Sequence, residues 1–255
     1  MKAKACGILM VAFSPIMYIL AILLPKKKNR YCFGAWFGGL YSDNSRYLFE
    51  AASASADLDA IWITKSAGVI RLVASHGYKV FHAYSIKGIY YQLTAEVMFC
   101  SVNSRDLNPA CIGPKTKFIQ LWHGLPLKKI GFDVNAGPFN RFKQMVRKKT
   151  IDRYSAVISP SPVFDRLFCS AFRIPSNQII SAPYPRWMGM LASADMINSI
   201  KTANGIATNR VIVAYLPTHR VEGKSIDVIS SAIAALIEHE EVIADCGIQV
   251  VVKLH

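Results

Sequence analysis

The stretch KFIQLWHGLPLKKIGFD, Lys117 to Asp133, carries an apolar strand into a histidine–glycine turn. Lys117 to Trp122 reads as the strand, and Gly124 with Pro126 stops it. In α/β sheets ligands collect at the carboxyl ends of strands. His123 therefore stands where an imidazole can take up a proton near neutral pH. Gly124 lets the backbone approach a ligand closely, and Lys128 and Lys129 add positive charge just beyond. A histidine alone would read as a packed residue. A histidine with Gly, Pro and paired Lys at a strand exit reads as a functional group.

On either side the chain alternates strand and helix patterns. Tyr31 to Phe37, Ala60 to Thr64, Lys79 to His82, Glu96 to Val102, Ala156 to Ser159 and Gln178 to Ala182 read as further strands. Arg46 to Ala56, Gly68 to Ser75, Ser85 to Thr94 and Val163 to Phe172 read as helices. Ser42-Asp43-Asn44-Ser45 reads as a turn before the first helix, and Gly77 closes the second. This rhythm predicts a parallel sheet with helices on both faces. After a helix and linker over Met188 to Asn209, the segments Val211 to Leu216, Ile226 to His239 and Ile248 to Leu254 predict one more βαβ unit. One such unit cannot cover its sheet edges or bury both faces. The chain is thus expected to be a fragment, a truncated frame or one piece of a split protein. The expected divisions are a membrane segment with basic linker over 1–29, a first α/β domain over 30–200, and the start of a second over 201–255.

Hydrophobic residues make up 52% of the chain, enough for a sizeable core and against wholesale disorder. The net charge of +14 fits nucleic acid, anionic lipid or phosphate-rich partners. Arg141 to Arg153 (RFKQMVRKKTIDR) lacks the interleaved aromatics of a base-stacking platform, which argues against nucleic acid. Its Phe142, Met145 and Val146 suit a membrane-surface helix, a polyanion groove or a plain amphipathic helix. Ala5 to Leu24 is uncharged, and about 20 residues at roughly 1.5 Å each match a bilayer core. Spanning, in-plane and buried helices all remain open for it. Lys26, Lys27, Lys28 and Arg30 follow it and outweigh Lys2 and Lys4, so the body is expected on the cytoplasmic face of the cell membrane. The six cysteines form no C-x-x-C pair and read as reduced core thiols.

Tyr215 to Arg220 (YLPTHR) again runs a strand into polar residues. Thr218 and Arg220 suit a phosphate, or make a turn with a solvated arginine. Val251 to His255 (VVKLH) is a third strand with such an exit, so His123, Arg220 and His255 suggest one anion-binding cleft. In Ala182 to Arg186 (APYPR) two prolines frame a turn that presents Arg186 to a ligand or to solvent. Asp57-Leu58-Asp59 has the D-x-D form of metal-dependent sugar transferases but precedes its strand, the wrong end for a ligand, and reads as a turn. There is no phosphate-binding Gly-rich loop, zinc-ligand spacing or G-x-S-x-G. Neither metal nor cofactor is expected.

LWHGLPLKKIGFD, the YPR turn, YLPTHR and KLH, in that order, resemble the CDP-glycerol glycerophosphotransferase family of teichoic acid primases and polymerases. FGAWFGGLYSDNSRYLFEA, from Phe33, is similar to members that build envelope polysaccharides. The resemblance runs from about residue 30 to residue 255. It implies an α/β, GT-B-like fold of two Rossmann-like domains, the second truncated, with the site in the cleft. It further implies transfer of glycerol phosphate, or a related polyol phosphate, from a CDP-linked donor to a cell-envelope polymer or lipid-linked acceptor, with release of CMP. By resemblance His123 matches the proposed base and His255 a histidine that contacts donor phosphate. Arg186, Thr218 and Arg220 match donor-binding positions, and Gly124, Leu125, Pro126 and Leu127 complete the substrate-binding loop. The family often continues Pro-Arg with Asn-Asp, where Trp187 and Met188 stand here, and His219 replaces a usual aromatic. Most of the domain that holds the nucleotide is missing, so the chain alone is expected not to turn over. A nucleotide-sugar glycosyltransferase of the same fold and a non-catalytic, membrane-bound anion-binding remnant are the alternatives.

Overall fold

The computed structural model describes residues 14–134, 154–216 and 224–252. Contacts divide the chain into two units, the break falling between Met190 and Leu191.

The first unit opens with α1 (Ser14–Leu23) and β1 (Lys27–Gly34). It continues through α2 (Asp43–Ser53), β2 (Asp59–Thr64), α3 (Ala67–Ser75), β3 (Val80–His82), α4 (Ile86–Leu93) and β4 (Ala95–Cys100). It ends with β5 (Lys117–Gln120), β6 (Ala156–Ser159), α5 (Pro162–Phe172) and β7 (Ile179–Ser181). The strands form one parallel sheet in the order β3-β2-β1-β4-β5-β6-β7. Neighbouring side chains on a strand point to opposite faces, so the sheet separates two cores. Cys32, Ile61 and Met98 pack on one side; Phe33, Trp62 and Phe99 pack on the other. Phe33 stacks on Phe99 at 4.8 Å, and Trp62 meets Tyr41 edge-on at 4.8 Å. Each such buried aromatic contributes about 1.5–3 kcal/mol.

The topology fixes where a site can form. From β1 the chain steps outward through β2 to β3, then re-enters on the other side of β1 as β4. That reversal opens a crevice beyond the carboxyl ends of β1 and β4. β1 stops at Gly34, three residues before the expected Phe37. A Cβ at Gly34 would come within 2.5 Å of the Asp106 carbonyl, which crosses the strand end there. The next residues form a 3₁₀ turn, Trp36–Gly38, with Trp36 and Phe37 left-handed at φ 47° and 58°. Ser42 to Ser45 is no separate turn either, for α2 begins at Asp43 and these residues are its cap and first turn.

The D-x-D sequence lies at the amino ends of the strands, opposite that crevice. Asp59 begins β2 and accepts from Arg30 Nε at 2.9 Å and Lys79 Nζ at 2.8 Å. Burial alone would raise its carboxyl, but these two cations outweigh burial and hold it below the usual carboxylate range. Cys32, Cys100 and Cys111 are buried free thiols, and burial pushes Cys111 up to about 12.

α1 packs one face on the body through Met17, Leu20 and the fully buried Ala21, leaving Ile16, Ile19 and Leu23 exposed. A Cβ at Gly113 would lie 2.7 Å from the Ala21 carbonyl, so α1 seats directly on that glycine. Among the described residues no helix is long and apolar enough to cross a membrane.

The second unit holds α6 (Ala194–Ala203), β8 (Val211–Tyr215), α7 (Lys224–Glu238), α8 (Glu240–Asp245) and β9 (Ile248–Val252). β8 and β9 pair in parallel from Val211↔Ile248 to Tyr215↔Val252. Val211 and Val213 stay exposed on this two-stranded sheet, unlike the buried strand residues of the first unit.

Candidate active site

β5 ends at Gln120, and the chain leaves the sheet through Leu121, Trp122 and His123. Trp122 takes a left-handed φ of 58° while its ring packs edge-on against Phe168 and Phe172. Its backbone N–H donates to Gln120 Oε1 at 2.9 Å. A bulky residue in this conformation costs about 1–3 kcal/mol and persists only where its surroundings over-determine it. The result turns His123 back over the crevice.

His123 Nδ1 lies 2.9 Å from the carbonyl oxygen of Ser101, just past the end of β4. A carbonyl can only accept, so Nδ1 donates, and in the neutral ring this tautomer leaves the lone pair on Nε2. Rings flank the imidazole on two sides, Trp122 at 4.3 Å and Trp36 at 5.4 Å between centroids.

The start of α2 holds this turn from beneath. Asn44, fully buried, donates through Nδ2 to the carbonyls of Leu121 and Trp122 at 3.2 and 2.9 Å. Its Oδ1 accepts the N–H of Arg186 at 3.2 Å. Arg186 Nη1 donates to the His123 carbonyl at 2.9 Å and to Asp43 Oδ1 at 3.2 Å. Tyr184 donates to the Gly124 carbonyl at 2.9 Å, and burial pushes its phenol up, away from ionisation. Asp43 is itself left-handed, at φ 63°, and accepts the Trp36 indole N–H at 3.2 Å.

Asp106 closes the other side. Fully buried, it accepts the N–H groups of Phe37, Ser101 and Val102, each at 2.8 Å. Burial pushes its carboxyl up, and these backbone donors pull it back down.

Of the residues expected from the sequence, the fold brings His123, Gly124 and Arg186 into one hydrogen-bonded group. Nothing lies within 4 Å of a Cβ built on Gly124, so the space beside it is open. Leu125 and Leu127 are exposed on the same loop, and Pro126 lines a concavity with Lys128 and Lys129. Thr218, Arg220 and His255, with the basic stretch Arg141 to Arg153, lie outside the described residues. Asp43, Asn44, Ser101 and Asp106 were not singled out in the sequence. Asp and Asn before a helix are ordinary caps, and the partners that give them meaning are far away in the chain. Among the described residues no group of three or more His, Cys, Asp or Glu side chains is placed to hold a metal ion.

The fold is similar to that of the wall teichoic acid polymerase TagF. One solved TagF structure, an H444N variant soaked with CDPG, superposes with a TM-score of 0.72 at 18% identity, covering 99% of this chain and 64% of that one. Another gives 0.67, covering 86% and 56%.

The chain belongs to the CDP-Glycerol:Poly(glycerophosphate) glycerophosphotransferase family, which it matches over residues 16–255. It is 30% identical over 200 residues to the teichoic acid glycerol-phosphate transferase of Staphylococcus aureus, covering 76% of this chain and 51% of that protein. To the teichoic acid poly(glycerol phosphate) polymerase of Bacillus spizizenii it is 28% identical over 224 residues, covering 83% and 55%. The chain thus spans about half the length of these relatives.

Proposed function

We propose that this chain forms the acceptor-side part of an enzyme that transfers glycerol phosphate from CDP-glycerol to a cell-envelope acceptor. The observation that carries this reading is the contact between His123 Nδ1 and the Ser101 carbonyl, which leaves Nε2 free to act as a base. An acceptor hydroxyl attacks the β-phosphorus of the donor, and its proton passes to Nε2. The bond from that phosphorus to the bridging oxygen breaks, and CMP leaves with the electron pair. The product is a phosphodiester between glycerol and the acceptor. Such a reaction needs alignment, a base and positive charge on the phosphate oxygens. Arg186 has Nε and Nη2 beyond the Nη1 that binds Asp43 and His123. Thr218, Arg220 and His255 are assigned to the donor phosphates by their places in the family motifs.

The same reading sets the protein on the cytoplasmic face of the cell membrane. Its support is the exposed apolar face of α1, Ile16, Ile19 and Leu23, followed by Lys26 to Lys28. An in-plane helix of this kind gains from apolar burial and from attraction to anionic lipid.

The test is CMP release from CDP-glycerol by membranes carrying the 255-residue chain and, in parallel, the full reading frame in which it occurs. His123→Ala is expected to lower the rate by about 10²–10⁴-fold while the thermal midpoint stays within a few degrees. Release of a nucleoside diphosphate from a nucleotide sugar, with none of CMP, would replace this reading by glycosyl transfer.

A further inference from the structure

We propose that Asp106 is a positioning residue for His123: its buried carboxylate sets the Ser101–Val102 peptide so that the Ser101 carbonyl holds the imidazole with its proton on Nδ1. The transferase reading above makes His123 the base, and the inference rests on that reading for what the positioning accomplishes.

The device lies just beyond β4, which ends at Cys100. The next two backbone N–H groups, of Ser101 and Val102, both donate to one oxygen, Asp106 Oδ2, at 2.8 Å each. In a strand, successive N–H groups point to opposite sides. Here they converge, as in the concavities with which a backbone cradles an anion. The Val102 N–H and the Ser101 carbonyl belong to one trans peptide plane and point opposite ways. Anchoring that N–H on Asp106 therefore aims the carbonyl away from the carboxylate, and His123 Nδ1 meets it there at 2.9 Å.

The carboxylate is itself fixed. Asp106 is fully buried, and its Oδ1 accepts the Phe37 N–H at 2.8 Å. Its charge draws on the Val102 hydrogen and polarises the peptide, which makes the Ser101 oxygen a stronger acceptor. Gln120, also fully buried, ties the two segments together. Its Nε2 donates to the Val102 carbonyl and its Oε1 accepts the backbone N–H of Trp122, both at 2.9 Å. The imidazole and the carbonyl it meets thus sit on one closed ring of hydrogen bonds.

A neutral imidazole with its proton on Nε2 has no lone pair there for an acceptor hydroxyl. In other base-assisted sites a third group orients the imidazole directly. Here one peptide stands between the carboxylate and the ring.

NMR of the ¹⁵N-histidine-labelled 255-residue chain tests this at mildly alkaline pH, where an imidazole is neutral. The His123 signals are identified by their loss in His123→Ala. The parent is expected to show the Nδ1–H tautomer. Asp106→Ala should shift the ring to a mixture of tautomers. Asp106→Asn keeps an oxygen for Ser101 and Val102 but not the charge, so the tautomer should hold while the Nδ1 proton moves upfield. Thermal melts report folding, and if Asp106→Ala is unfolded, the Asn variant decides alone. An unchanged tautomer in folded Asp106→Ala, or an unmoved Nδ1 proton in Asp106→Asn, would overturn the inference. In CMP release by the full reading frame, Asp106→Ala should lower kcat about 100-fold with little change in KM, and Asp106→Asn should recover most of that loss. The losses from His123→Ala and Asp106→Asn should not add. A rise in KM at unchanged kcat, or full additivity, would place the work of Asp106 elsewhere and overturn the proposal. The tautomer is read without turnover, so the two readings fail separately. His123-dependent CMP release with a tautomer indifferent to Asp106 sinks the positioning role and leaves the transferase standing. An Asp106-dependent tautomer without CMP release does the reverse.

Discussion

Arg186 Nη1 donates to the backbone carbonyl of His123 at 2.9 Å, across 63 residues of sequence. The same nitrogen binds Asp43, whose side chain is 6% exposed, so one guanidinium ties the strand exit, the first turn of α2 and the Pro185 turn together. The contact gives Arg186 a positioning role alongside the donor role assigned by resemblance, and substitution separates the two.

Arg186→Lys keeps the positive charge but loses the rigid planar guanidinium that sets Nη1 between its two acceptors. If positioning dominates, kcat falls about 100-fold, the cost of displacing a catalytic group by about 1 Å, and the KM for the donor changes little. If donor binding dominates, KM rises and kcat holds. Arg186→Ala additionally leaves the Asp43 carboxylate short of a cation. The pair is partly exposed, so a loss of about 1–2 kcal/mol is expected in a denaturant titration.

Asp106→Asn should loosen one particular turn. Asp106 Oδ2 accepts from Ser101 and Val102, and Oδ1 accepts from Phe37. An amide has one acceptor oxygen, and keeping two bonds is better than keeping one. The asparagine oxygen therefore faces Ser101 and Val102, and its NH₂ group confronts the Phe37 N–H. About 1–3 kcal/mol of stability should be lost, the cost of stranding a buried donor. Amide exchange should accelerate at Phe37 well before it does at Ser101. Equal acceleration at both sites would show that the carboxylate does not divide its work in this way.

The sheet was legible because its signals are local. Ala60 to Thr64 and Ala156 to Ser159 are short apolar runs bounded by turn formers, and each is a strand with at most one residue added. His123 was legible because Gly, Pro and Lys surround it at a strand exit. Trp36 and Phe37 were not, for FGAWF reads as the continuation of a strand, and left-handed aromatics run against local preference. What fixes them is Asp106, 69 residues from Phe37, and no local pattern announces that bond. Asn44 is similar: its bonds to Leu121 and Trp122 span 77 and 78 residues, whereas its neighbours in sequence explain it fully as part of a helix start.

Acid should destabilise the first unit through Asp59. Arg30 and Lys79 hold its carboxyl below the usual range, so the folded state favours the ionised form. The stabilisation is complete above the unfolded carboxylate value, about 4, and is lost as pH falls through the lower folded value. Asp59→Asn should flatten the dependence of the thermal midpoint on pH below about 4. At neutral pH Asp59→Ala should cost more than Lys79→Ala, because it leaves Arg30, buried at 4% exposure, with only the neutral hydroxyls of Thr94 and Tyr90 among its side-chain hydrogen-bond partners. A midpoint equally sensitive to acid in Asp59→Asn would place the acid response elsewhere.

Gly113 and the outer face of α1 make opposite predictions for stability and for membrane binding. A Cβ at Gly113 would lie 2.7 Å from the Ala21 carbonyl and 2.8 Å from its Cβ, contacts that backbone atoms cannot relieve without moving the helix. Gly113→Ala should cost about 1–3 kcal/mol and expose the α1 junction near Pro25 to protease. Ile16 and Ile19 face outward, so Ile16→Ser with Ile19→Ser should leave the unfolding free energy within about 0.5 kcal/mol of the parent, as surface changes usually do. On the proposed membrane-surface placement, the same double variant should lose much of its sedimentation with vesicles containing phosphatidylglycerol, since two of the three exposed apolar side chains Ile16, Ile19 and Leu23 are replaced. Were vesicle binding to survive the double variant and fall instead on raising salt alone, the lysines after α1 would hold the protein at the surface, and its exposed isoleucines would need another explanation.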